Sequence, residues 1–225
     1  GIVESAGSPI ISCNPYLPKD ETQEQILIPD EVYIPPAPPE CNQLARAYQT
    51  GANEWHITPG YYTDFPQASI NGDIVGSKKD IIMDPGVYCV GRRIKWSSTT
   101  FDSLDGSSGV TLYIRSGNEF EININSPITF NPSNSGDYEG YLIIQDGSPS
   151  DIRNCTINGG SYLDINGTIL APYCNLTING NNNSNSEINA QVIAWNITLN
   201  GGTTINIRYD PSINVKNKRR IGLMR

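Results

Sequence analysis

A single histidine, His56, stands in this chain of 225 residues, so any Ser–His or Cys–His nucleophile must be built on it. It lies in Glu54-Trp55-His56-Ile57, ahead of the strand-rich part of the chain, and reads as structural. Acid–base attack on a polysaccharide needs two or three convergent carboxylates, often with a basic residue or Ca²⁺. The candidates are Asp146, Asp151 and Asp164, with Arg153 as the cation. Asp146 precedes Gly147, as in a turn, and Asp164 lies between Leu163 and Ile165, as on the outer face of a strand. The repeat described below puts Asn185 at the position of Asp164, so no acidic ladder is expected. Asn71-Gly72-Asp73 and the pair Asp102 and Asp105 read as turns, and no glycine-rich loop opens a helix to hold phosphate. The sequence therefore predicts no catalytic residue, no metal and no cofactor.

Five cysteines occur, Cys13, Cys41, Cys89, Cys155 and Cys174. None forms a C-x-x-C pair and His56 is remote, which argues against zinc. Cys155 and Cys174 are separated by nearly one repeat, so adjacent coils would bring them to disulfide distance. The odd count leaves at least one thiol free or joined to another chain. Glycosylation sequons occur at Asn154, Asn166, Asn175, Asn182 and Asn196, and three of them share one register. Trp55, Trp96 and Trp195 offer either a carbohydrate-stacking face or core burial. Burial is preferred, with Trp195 shielding a corner of the core.

These residues have to be placed by short strands. Gly, Asn, Ser and Thr are abundant, Gly numbers 21 and Pro 16, and only 17% of residues are charged, a composition of strands joined by many turns. Val110, Leu112 and Ile114 alternate with Thr111, Tyr113 and Arg115, and Phe120, Ile122 and Ile124 alternate with polar residues. This is the period of a half-buried strand. Thr156-Ile157-Asn158-Gly159 recurs as Thr177-Ile178-Asn179-Gly180 and as Thr198-Leu199-Asn200-Gly201, a step of 21 residues. Thr168-Ile169-Leu170-Ala171 resembles Gln191-Val192-Ile193-Ala194 at a step of 23, the difference being absorbed by loops. A fixed period near 20 without helical pattern favours stacked coils, the alternative being an antiparallel meander in which Asn-Gly marks the hairpins. Ile157, Ile178 and Leu199 are expected to form one inward column, with Asn158, Asn179 and Asn200 in a ladder.

The predicted fold is all-β, a right-handed β-helix-like solenoid over residues 56–212. An irregular proline-rich arm, 1–55, precedes it and a basic tail, 213–225, follows. One short helix is expected within Asn42 to Thr50. The net charge of -8 argues against nucleic acid as a partner, since phosphate binding wants a basic face. No stretch approaches the roughly 20 apolar residues of a membrane helix. The start at Gly1, without a leader, reads as a processed chain or an excised fragment.

Across residues 80–210 the chain resembles the extracellular region of TadE/TadG-like proteins, linked to assembly of Tad (Flp) pili in bacteria. Asp84-Pro85-Gly86-Val87-Tyr88, Gly109-Val110-Thr111-Leu112-Tyr113, and Tyr138-Glu139-Gly140-Tyr141-Leu142-Ile143-Ile144-Gln145-Asp146 carry the resemblance. So do Ile157-Asn158-Gly159-Gly160, Asn166-Gly167-Thr168-Ile169-Leu170-Ala171-Pro172 and Val192-Ile193-Ala194. The resemblance implies an exported, membrane-tethered surface protein without catalytic residues to carry over. The membrane helix with which such proteins begin is not in this stretch of chain. The function expected is that of a structural or adhesive exoprotein, extracellular or at the cell surface, pilus-associated or filament-forming. Its partners would be copies of itself or pilus and surface components. The alternatives are a carbohydrate-binding surface module and, behind it, a polysaccharide-degrading β-helix enzyme.

Overall fold

The computed structural model describes residues 33–65, 69–70, 73–74, 78–97, 101–115, 117–123, 126–158, 163–179, 187–200 and 206–207. The chain is a β-solenoid of about five turns. Strand β1 (Ala47–Gln49) precedes the stack. The first row holds β2 (Glu54–Ile57) and β3 (Gly60–Tyr62), and a small hairpin, β4 (Ser69–Ile70) with β5 (Asp73–Ile74), follows it. The second row is β6 (Asp80–Met83), β7 (Gly86–Val90) and β8 (Ile94–Ser97). The third is β9 (Ser103–Gly106), β10 (Val110–Ile114) and β11 (Phe120–Asn123). The fourth is β12 (Ile128–Phe130), β13 (Tyr141–Gln145) and β14 (Arg153–Asn158). In the fifth and sixth rows β15 (Leu163–Asn179) and β16 (Glu187–Asn200) run on through the corners, and β17 (Asn206–Ile207) starts beyond them.

Parallel pairing sorts these strands into three columns. Trp55, Ile81, Leu104, Ile128 and Leu163 are in register down the first. Tyr88, Leu112, Ile143, Ile169 and Val192 follow down the second. Ile122, Ile157, Ile178 and Leu199 follow down the third. Alternate residues of each strand face inward, so every row adds a layer to one apolar interior. Ile157 and Ile178 are buried and Leu199 packs against the same core. Fully burying such a side chain is worth about 1.5–3 kcal/mol, and the layers together hold the stack.

The corner between the first and second columns has its own chemistry. Gly60, Gly86, Gly109, Gly140 and Gly167 all lie there with positive φ, a region that costs glycine nothing. In the first two rows a proline precedes the glycine and a tyrosine follows two residues on. Tyr62 Oη donates to the Thr58 carbonyl at 2.7 Å. Tyr88 Oη lies 2.7 Å from the Asp84 carbonyl and also 2.7 Å from that of Ile57. The buried hydroxyls thus find partners in the carbonyls of Thr58 and Asp84 at the proline turns, and Tyr88 shares the Ile57 carbonyl with the Asp84 N–H, which bonds it at 2.9 Å.

The amino-terminal segment differs from its sequence reading. No helix forms within Asn42 to Thr50. A 3₁₀ turn, Pro39–Asn42, leads into β1, which pairs antiparallel with β2. Ala45 is buried and its N–H bonds the Tyr61 carbonyl. Extended backbone here covers the open edge of the first row, and that long-range bonding outweighs a weak helix preference. Strands therefore begin at Ala47, inside the stretch assigned to the arm. The polyproline stretch lies along the outside of the second column, where Tyr61, Cys89, Tyr113, Ile144, Leu170 and Ile193 form an outward apolar row. Ile34 packs on that cluster, and Tyr113 Oη donates to the Pro35 carbonyl at 3.0 Å. Cys41 is joined to Cys89. Among the described residues no helix is long and apolar enough to cross a membrane. The basic tail lies outside the described residues.

Candidate functional site

The acidic candidates are not all brought to one place. Asp146 follows β13 at the corner leaving the second column, where its N–H bonds the Ile114 carbonyl at 2.8 Å. Asp151 pairs with Arg153 at 2.6 Å, beside β14 of the third column. Asp164 is exposed on the first column. Asp146 and Asp151 thus share the loop between β13 and β14, whereas Asp164 belongs to another column. The residue aligned with Asp164 is Glu187, not Asn185, because the step in this column is 23 residues and not 21. On the other side of Asp164 stands Thr129. Asp105 accepts a bond from the Ser107 N–H at 2.8 Å, the geometry of a turn. Among the described residues no group of three or more His, Cys, Asp or Glu side chains is placed to hold a metal ion.

One titratable cluster escaped the sequence reading. His56 is on β2, and its Nδ1 lies 2.8 Å from Asp84 Oδ1. Tyr48 of β1 stacks on the imidazole with ring centroids 5.0 Å apart, and its hydroxyl donates to Asp84 Oδ2 at 3.0 Å. Three adjacent segments are thereby clamped at the capped end. The nearest hydroxyl in sequence, Thr58 Oγ1, accepts the Arg46 N–H at 2.9 Å. The cluster orients and fastens, and it presents no activated nucleophile. Its signal was present in the sequence: Thr58-Pro59-Gly60-Tyr61-Tyr62 and Asp84-Pro85-Gly86-Val87-Tyr88 are one motif a coil apart, and they place Asp84 beside the end of β2. Burial pushes the phenols of Tyr62 and Tyr88 far above the ordinary tyrosine range, and the Asp84 charge adds to both shifts.

The third column carries the most regular exterior. Asn154, Asn175 and Asn196 are in register, as are Thr156, Thr177 and Thr198, and Asn158, Asn179 and Asn200. In the first two of these rows the neighbours Cys155, Ile157, Leu176 and Ile178 are buried, so the Asn and Thr side chains point outward, and Asn196, Thr198 and Asn200, in register with them, are exposed. Asn175 Nδ2 donates to Asn154 Oδ1 at 3.3 Å, Asn179 Nδ2 to Asn158 Oδ1, and Asn200 Nδ2 to Asn179 Oδ1 at 3.1 Å. Toward the capped end the face finishes at the Lys95–Glu121 ion pair, 3.3 Å, in register with the threonines.

Other sequence candidates fall around this face. A disulfide joins Cys155 to Cys174, both enclosed in the core. Sequon Asn154 and Asn196 are exposed. Asn166 is committed to a second ladder, donating to Asn131 Oδ1 at 2.9 Å and accepting from Asn189 Nδ2 at 3.1 Å. Asn182 and Cys13 lie outside the described residues. Trp195 is 54% exposed and does not shield the core as expected. Cys174, the position that it matches, is buried and bonded to Cys155, whereas Trp195 stands in the last described row of this column. Trp55 packs against the core, and the Trp96 side chain lies outside the described residues.

No family model matches this chain, and neither a curated protein nor a solved structure does.

Proposed function

We propose that this chain is a rigid structural or adhesive module of an exported protein, displayed at a cell surface and assembled with copies of itself or with pilus components. The observation that carries this reading is the pair of enclosed disulfides, Cys41–Cys89 and Cys155–Cys174. One fastens the arm to the outside of the stack and the other ties two rows inside it. Disulfides persist in oxidising compartments and are rare in a reducing cytosol. A repetitive exterior favours display over hydrolysis, and no catalytic residue is assigned.

The test is immunogold electron microscopy of source cells, with antibody raised against the recombinant chain. Label in filaments or patches on the outer surface is the expected result. Label confined to the cytoplasm contradicts the proposal. Release of reducing sugar from polysaccharides by the pure chain would favour the enzyme reading instead.

A further inference from the structure

We propose that the outer face of the third column, over the fourth to sixth rows, binds an extended, neutral β-1,4-linked polysaccharide chain lying along the solenoid axis. The inference rests on the surface reading and names its ligand. Nine outward positions form a grid of Asn, Thr and Asn in three rows. Rows are about 4.8 Å apart and alternate residues of one strand about 6.6 Å apart. In an extended β-1,4-linked sugar chain alternate rings are turned over, and the disaccharide repeat, roughly 10 Å, is close to two rows at about 4.8 Å each, so every second sugar meets every second row in the same way.

The chemistry of the grid selects the ligand. All nine side chains are uncharged, although the chain as a whole carries -8. An anionic polymer would be repelled by that charge, and a cationic one finds no carboxylate in the grid. A protein partner wants aromatic or aliphatic anchors at the centre of its interface, and the nine positions hold none. Each carboxamide has two N–H donors and an oxygen with two lone pairs, and each hydroxyl both donates and accepts. Each ladder bond uses one of an asparagine's two N–H donors and one lone pair of its neighbour's oxygen, so every rung keeps further capacity to bond. The ladders also hold the amides of Asn154, Asn158, Asn175, Asn179 and Asn200 before a ligand arrives, which removes part of the ordering cost of binding. A polymer of neutral hydroxyl-bearing rings at one fixed repeat is the complement of such a surface.

Depletion from solution by microcrystalline cellulose and by β-chitin tests this, using the full-length unglycosylated chain. The wild type is expected to bind at least one of the two solids. The double variant Thr177→Lys, Thr198→Lys is expected to lose about ten-fold or more in affinity, as several hydrogen bonds are displaced together. Thr129→Lys, on the outside of the first column, is the control and should bind as the wild type does. Binding to neither solid overturns the proposal, and so does unchanged binding by the double variant. Should that variant fail to fold, cellohexaose and chitohexaose titrated into the wild type replace it. Shifts of the Asn158, Asn179 and Asn200 side-chain amide NMR signals support the site, and their invariance overturns it. Surface location, read by immunogold, stands or falls separately.

Discussion

Gly106 shows how far a single position is fixed by its neighbour in the next row. A β-carbon there would lie 2.5 Å from Phe130 Cδ1 and 2.8 Å from Val110 Cγ2. Gly106 pairs with Phe130, so the ring fills the space that a side chain would need. Gly106→Ala is expected to cost about 1–3 kcal/mol, read from the urea midpoint, and an unchanged midpoint would refute this packing. The buried tyrosines make a second prediction. Tyr62 and Tyr88 hold their protons far above the usual pKa of ~10, chiefly through desolvation. Below that pH their stabilising effect is fully present. As pH rises past it, the unfolded chain sheds phenolic protons that the folded chain keeps, so stability falls steadily. Urea midpoints should drop between neutral and alkaline pH, and the drop should be smaller in Tyr88→Phe. An equal drop in both would contradict the burial of this phenol. Residue identity revealed the inward aliphatics and the Asn–Thr ladders, because identical side chains recur at a fixed step. His56 was underrated because its partners, Asp84 and Tyr48, come from other strands.

At the scale of elements, the repeat was readable where rows are alike and obscure where they are not. The steps of 21 and 23 residues are both real registers. Their difference is taken up between Ala171 and Asn175, where β15 carries two more residues than β16 does. Projecting one step over the whole chain misplaced the partner of Asp164 as Asn185. Earlier rows carry long insertions, such as the one between β12 and β13, so their period is hidden while their alternation survives. The segment around Ala45 and Ala47 misled for another reason: small residues that suit a helix are needed here to let a covering strand approach the first row. Disulfides act on this scale too. Cys155–Cys174 closes a separation of 19 residues and Cys41–Cys89 one of 48. Chain-entropy arithmetic gives about 3 and about 4 kcal/mol for loops of these lengths. Replacing each pair by serine should lower unfolding free energy by amounts of that order. A loss near zero for Cys41→Ser, Cys89→Ser would mean that the arm adds no constraint to the folded chain.

As a whole molecule, the chain is a stack with two unlike ends and three unlike sides. One end is closed by β1 and by the clamp of Tyr48, His56 and Asp84. At the other, Trp195 and Ile197 remain 54% and 44% exposed. One side is covered by the proline-rich segment and another displays the neutral grid. Coil stacking was legible from the period, but which side the arm covers was not, because it depends on an outward apolar row assembled from six different strands. Both the grid and the core column require that consecutive repeats lie side by side. An engineered cross-link measures this directly, in a Cys13→Ser background. Thr156→Cys with Thr177→Cys, one row apart at about 4.8 Å, should oxidise readily to an intramolecular disulfide. Thr156→Cys with Thr198→Cys, two rows apart and beyond the reach of a disulfide at about 7 Å, should not. Bonding of the second pair but not the first would contradict the account.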